Sequence, residues 1–219
     1  MAERDWYAWH ASYDNPDSGL ARRLSWVQGQ LRAVLDSAPS GPVRAVSLCA
    51  GQGRDIIGVL ADHPRRADVR ALLVERDPRN TEFAGSLAAA AGVRNVEIVT
   101  GDASRTSQYA AMVPADLVLA CGLFGNMTNA DIERTIGYCA QLCAEGGAVI
   151  WTRARWEPDL VPQICTWFEE HDFEQAWLSE PGYHECVGTH RRTAPPVPLE
   201  QDAVMFTMAN HERFTGPAR

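Results

Sequence analysis

An apolar run that stops at two glycines one residue apart restricts this chain more than any other feature: Ala45-Val46-Ser47-Leu48-Cys49-Ala50-Gly51-Gln52-Gly53. Such a run reads as a buried strand feeding a tight turn into a helix. Gly51 is free to take a backbone conformation closed to residues with a Cβ, and Gly53 is expected to let a ligand approach the main chain where the next helix begins. A nucleoside cofactor suits a loop of this kind. Gly-x-Gly alone is a weak signal, so its meaning depends on the residues that stand at set distances beyond it.

A second apolar run over 70–75 ends in Glu75, 22 residues beyond Gly53. A carboxylate at the tip of a second strand is placed to accept hydrogen bonds from ribose hydroxyls. The dinucleotide fingerprint also wants a third glycine three residues after the second, and Ile56 stands there, which lowers NAD in rank. A third run over 96–100 reaches Gly101-Asp102-Ala103, and a fourth over 115–120 opens into Cys121-Gly122-Leu123-Phe124-Gly125-Asn126. A fifth strand is expected over 147–152, with helices near 18–37, 54–61, 78–91, 129–143 and 159–171. Asp17 or Ser18 is the expected cap of the first of these helices. Strand–helix alternation of this kind argues for an α/β protein with a parallel sheet and helices on both faces.

With these motifs the chain resembles the class I S-adenosylmethionine-dependent methyltransferases, over about residues 5 to 190. The resemblance implies a doubly wound, mostly parallel, seven-stranded Rossmann-like sheet with an antiparallel C-terminal strand. It implies S-adenosylmethionine as cofactor and S-adenosylhomocysteine as product. Cys49, Ala50, Gly51 and Gly53 would wrap the methionine part, Glu75 with Arg76 the ribose, and Asp102 with Ala103 the adenine. Cys121 and Gly122 would flank cofactor and substrate. The family pattern has an acidic residue two positions before the first glycine, where this chain has Cys49. The cofactor's amino group then needs another partner, and Asp55 is the nearest acid along the chain. Two alternatives stand beside this reading: an NAD(P)-binding oxidoreductase, and a non-catalytic S-adenosylmethionine-binding protein.

Composition bounds the partners. At 219 residues the chain suits a single domain, with residues 1–40 a helical and aromatic cap segment and 193–219 a C-terminal extension. A net charge of −8 disfavours nucleic acid, whose binders need a basic face, and favours a small-molecule substrate. No apolar run is long enough to span a bilayer, and Met1-Ala2-Glu3-Arg4-Asp5 lacks the basic start of a secretory signal, so no membrane partner and a cytoplasmic location are expected. The expected state is a monomer or homodimer. The six cysteines show no Cys-x-x-Cys pair and read as reduced thiols; Cys139 and Cys143, four apart on an expected helix, read as small buried side chains.

Candidates for chemistry lie mainly ahead of the first strand, in Trp6-Tyr7-Ala8-Trp9-His10-Ala11-Ser12-Tyr13-Asp14. His10 is a candidate general base, Tyr13 a second catalytic candidate and Trp9 a substrate contact, against the plainer reading that these rings only anchor the segment. Asn126 either orients substrate or caps the helix starting near Asn129. Arg153 and Arg155 follow the fifth strand, where the ligand crevice of such sheets opens. They suit an anionic acceptor, or else pair with Glu157 and Asp159. His190, with Arg191 and Arg192, carries the same two readings. Cys121 and Arg153 stand where a metal-dependent relative would carry carboxylates, so no catalytic metal is expected. Near the C-terminus, 173–178 and 186–191 read as an antiparallel pair, 193–198 as an extended linker, 203–208 as an extra edge strand and 210–219 as a tail.

Overall fold

The computed structural model describes residues 5–208; the tail expected over 210–219 lies outside them. Seven strands, β1 (Val43–Leu48), β2 (Val69–Glu75), β3 (Val96–Thr100), β4 (Ala115–Ala120), β5 (Cys143–Ala154), β6 (Phe173–Leu178) and β7 (Glu185–Arg192), form one sheet in the order β3-β2-β1-β4-β5-β7-β6. The first five are parallel, and β7 runs antiparallel to both β5 and β6. The strand order reverses between β1 and β4, so the two apolar runs that end in Cys49 and Cys121 open into the crevice where such sheets bind ligands.

The helices divide between two apolar layers. The long helix α2 (Gly19–Ser37) is capped by Ser18, whose hydroxyl accepts from the Ala21 amide, and turns Val27, Leu31, Val34 and Leu35 inward. These pack with α3 (Ile56–Leu60) and α4 (Pro78–Ala90) on one face of the sheet. The other face is covered by α5 (Asn129–Leu142) and α6 (Val161–Glu170), which pack on Trp151, Phe124 and Tyr109. Each fully buried large apolar side chain contributes about 1.5–3 kcal/mol. A short helix α1 (Trp6–Trp9) and a 3-10 turn, His10–Asp14, lie outside both layers and bury no residue fully.

Several expectations need correction. The extra strand over 203–208 does not join the sheet: Val204 makes one isolated bridge to Arg105, and the segment runs across α5 instead. Cys143 begins β5 rather than ending α5, because the chain turns extended after Leu142; its thiol is buried and pushed up to about 12. Thr128, not Asn126, caps α5. His190 is no anion site, being 0% exposed, stacked on Phe168 with its Nδ1 accepting from the Trp151 indole N–H. Arg192 donates to the His171 carbonyl at the end of α6, and Arg191 to Ser37 and the Gly146 carbonyl, so both are structural.

Trp151 lies directly over Gly188, its registered partner on β7, and a Cβ there would stand 2.4 Å from two indole carbons. Gly188→Ala should therefore cost about 1–3 kcal/mol by overpacking, read as a lowered urea midpoint; an unchanged midpoint would contradict this packing. Burial also lowers the His190 pKa to about 4. Between roughly pH 6.5 and 4 the unfolded chain takes up a proton that the folded one refuses, so stability should fall as pH drops through that window, by at most about 3 kcal/mol. Wild type should lose more stability across the window than His190→Gln; parallel losses would refute this.

Candidate functional site

Glu75 organises the crevice. Its Oε2 accepts from the Gly51 amide at 2.9 Å and its Oε1 from the Asp77 amide at 2.9 Å, so one carboxylate ties the glycine loop to the tip of β2. Each oxygen keeps a second lone pair for a hydroxyl donor. Gly51 and Gly53 have φ of +55° and +63°, and Cys49 beside them has φ of +49°, a conformation costly for a residue with a Cβ. The two glycines serve different ends. A Cβ on Gly53 would meet Ile57 and Leu73 at 2.8 Å, so that glycine admits protein rather than ligand, contrary to the sequence reading. A Cβ on Gly51 would meet His10 Nε2 at 2.5 Å on the open side of the loop.

At the tip of β3, Asp102 Oδ1 accepts from both the amide and the hydroxyl of Ser104, at 3.0 and 2.7 Å. Its side chain is 60% exposed and its only ion-pair contact among the described residues, Arg105 to Oδ2, is long at 3.9 Å. Oδ2 therefore remains an acceptor for an amino group, while Ala103 is buried beside it. Arg76 is exposed and near enough to Asp102 to help hold its carboxyl below the usual range. Ala50 donates its amide to the Val74 carbonyl and so joins the loop to β2. Burial pushes the Cys49 thiol far up, which leaves a neutral group where the family pattern has a charge.

The loop after β4 is stapled to the end of β5. The Gly122 amide donates to Thr152 Oγ1 at 2.7 Å, the Asn126 amide group to the Gly122 carbonyl at 2.9 Å, and Arg153 Nη1 to the Phe124 carbonyl at 2.5 Å. Cys121 is partly exposed by area, with its thiol pushed far up by burial and facing the Ile150 carbonyl at 3.7 Å. The two arginines of the sequence reading part here. Arg155 pairs with Asp159 at 2.8 Å, whereas Arg153 has no carboxylate within ion-pair distance among the described residues; the Nε of each is buried without a hydrogen-bond partner. Burial lowers the Arg153 pKa, a sign that its charge is under-compensated.

Over this floor lies the N-terminal cap. His10 Nδ1 sits 2.6 Å from the Trp6 carbonyl and must donate to it, which leaves Nε2 with its lone pair against Gly51. Burial lowers the His10 pKa and keeps the ring neutral. The Tyr13 hydroxyl accepts from Arg23 Nη2 at 2.7 Å, and its pKa is raised by burial. Trp9 packs edge-on against Tyr13, and Arg23 lies over the Trp9 ring. Arg23 also comes close to Gly122 and acts electrostatically on Asp55, whose carboxyl is raised by burial. Arg23 was not legible as a site residue: Arg22-Arg23 near the start of an amphipathic helix looks like a solvated face, and only the cap's position turns Arg23 into the crevice.

The crevice fits an S-adenosyl cofactor: spare acceptors at Glu75 for a diol and at Asp102 for an amino group stand at neighbouring strand tips, with Asp55 and Arg23 of opposite charge on the β1–β4 side. Residues 18–181 match the family described as "putative methyltransferase", and the chain belongs to that family. It is 28% identical over 165 residues to the uncharacterized protein YnbC of Escherichia coli strain K12; this covers 73% of the chain but only 28% of that relative's length. Solved structures of methyltransferases share its fold. The magnesium protoporphyrin IX methyltransferase of Synechocystis PCC 6803 with bound S-adenosylhomocysteine aligns with a TM-score of 0.61 at 12% identity, over 84% of this chain and 92% of that one. The 1,6-didemethyltoxoflavin-N1-methyltransferase of Burkholderia thailandensis, bound to its substrate and S-adenosylhomocysteine, gives 0.61 at 16% identity, over 86% and 87%.

Proposed function

We propose that this protein transfers a methyl group from S-adenosylmethionine to a small molecule, by in-line displacement. The observation that carries the reading is the Glu75 carboxylate bridging the glycine loop and the tip of β2 with acceptor capacity to spare. The cofactor supplies a sulfonium methyl; the protein's own residues supply binding, alignment and exclusion of water. Glu75 accepts from the ribose hydroxyls, Asp102 from the adenine amino group, and residues 49–53 with Gly122 line the methionine part. Asp55 and Arg23 meet its ammonium and carboxylate, which answers the neutral thiol at Cys49.

His10 Nε2, neutral and unprotonated, is the group placed to take a proton from an acceptor hydroxyl or amine, with Tyr13 and Trp9 closing the crevice beside it. Asn126 shapes the loop against which the acceptor rests, Arg153 attracts an anionic part of it, and Arg155 braces the end of β5 through Asp159. Two neighbours of the same fold act on small molecules in their own names, and the acidic balance of this chain supports the same class. No helix of the described residues is long and apolar enough to cross a membrane. A cytoplasmic protein, monomeric or dimeric, is the corresponding reading.

In calorimetric titration S-adenosylhomocysteine should bind saturably and NADH should not. Glu75→Gln should weaken the former about 10- to 100-fold, the worth of a hydrogen bond to a charged group; NADH binding in its place would overturn the reading. Once an acceptor is found by screening, the rate should hold at neutral pH and fall only below the ordinary histidine range, because the His10 pKa is lowered. His10→Gln should slow turnover by roughly 100-fold or more, and an unchanged rate would remove His10 from the chemistry.

A further inference from the structure

The C-terminal segment lies beyond the part of the chain that matches the family, yet it reaches the crevice. It leaves the foot of β7 and climbs the outside of α5, contacting that helix in reverse order. The Glu200 amide donates to Gln141 and the Tyr138 hydroxyl to the Glu200 carboxylate, at 2.8 and 2.9 Å. Arg134 Nε then donates to the Met205 carbonyl at 3.0 Å, and the Thr207 amide to Asp131 at 3.2 Å. At the top of the sheet the strap turns onto the loop after β3. The Thr106 amide donates to the Ala203 carbonyl at 3.1 Å while the Ala203 amide donates back to Thr106 Oγ1 at 2.9 Å. The Met205 amide donates to the Ser104 carbonyl at 2.8 Å. Met205 and Phe206 are 0% and 3% exposed, in the same core as Ala103 and Tyr109.

Ser104 is the residue whose amide and hydroxyl fix Asp102. Besides the strap, the loop is held by the Gly101 amide on the Glu75 carbonyl and the buried Tyr109 hydroxyl on the Ala103 carbonyl, both at 2.9 Å, and neither touches Ser104. β3 is an edge strand with no fully buried residue, so no neighbouring strand holds the loop from outside. A carboxylate as exposed as Asp102 selects an amino donor only if its orientation is fixed, because a mobile carboxylate gives way to water when the donor is missing. The path from strap to Ser104 to Asp102 supplies that fixation.

We propose that the strap determines base selectivity: Ala203 and Met205 are positioning residues that, through Ser104 and Thr106, hold Asp102 to read the exocyclic amino group of adenine. This role rests on the S-adenosyl cofactor reading. Affinities for S-adenosylhomocysteine and for S-inosylhomocysteine, in which a carbonyl replaces that amino group, would be measured by calorimetry. The probes compare wild type, Met205→Pro, which lacks the amide that Ser104 receives, and Thr106→Val, which lacks the hydroxyl that Ala203 uses. Wild type should prefer the adenosyl compound by about 30-fold or more, and each variant should lower that preference about 5- to 10-fold with little change toward the inosyl compound. Glu200→Gln, lower on the strap, should keep the wild-type ratio. If Met205→Pro does not fold, Thr106→Val decides. Wild-type binding with an unchanged ratio in a folded variant overturns the role of the strap alone; no binding of S-adenosylhomocysteine to wild type overturns the cofactor reading and the strap's role with it.

Discussion

One carboxylate joins the parts on which the crevice depends. The glycine loop follows β1 and the turn to Asp77 follows β2; beyond the last registered pair, Leu48 with Val74, one backbone bond from the Ala50 amide to the Val74 carbonyl continues the ladder and leaves the separation of Gly51 from Asp77 open. Glu75 fixes it by accepting from one amide on each side. The left-handed conformation at Cys49, the one of these loop positions with a Cβ, carries a cost that such a charge-assisted bond offsets. Around it, two apolar layers hold the strands rigid, so the loop is shaped against a floor that does not yield.

Most of that floor was legible in the sequence, because parallel strands buried on both faces write themselves as continuous apolar runs and their helices as 3.6-residue periodicity. The runs over 45–49, 70–75, 96–100 and 115–120 come within two residues of the observed strands at each end, whereas the fifth, expected over 147–152, begins four residues earlier. The positions of the strand tips were legible for the same reason: each such run stops where polar and small residues begin.

What was not legible depends on contacts between distant segments. The strap has no period, since its amides answer side chains of α5 and carbonyls of the loop after β3 rather than a neighbouring strand; its apolar letters suggested an edge strand instead. The role of Gly53 depends on Leu73, twenty residues away, and that of Arg23 on where Tyr13 settles. His190 looked like a surface basic cluster because Arg191 and Arg192 follow it, although strand alternation turns it into a ring stack. Cys139 and Cys143 were rightly read as buried, but the boundary between α5 and β5 falls between them.

The cap and the floor are held by different forces. No residue of α1 or of the turn after it is fully buried; the segment is tied down by Asp5 with Arg79, Asp14 with Arg54 and Tyr13 with Arg23, the first ion pair open to solvent and the second open on its Asp14 side. Exposed ion pairs weaken with ionic strength, whereas buried apolar layers do not. The seat of the cap over the crevice thus answers to the surrounding electrolyte while the scaffold beneath it does not, so a change of salt that loosens the one leaves the shape of the other as it was.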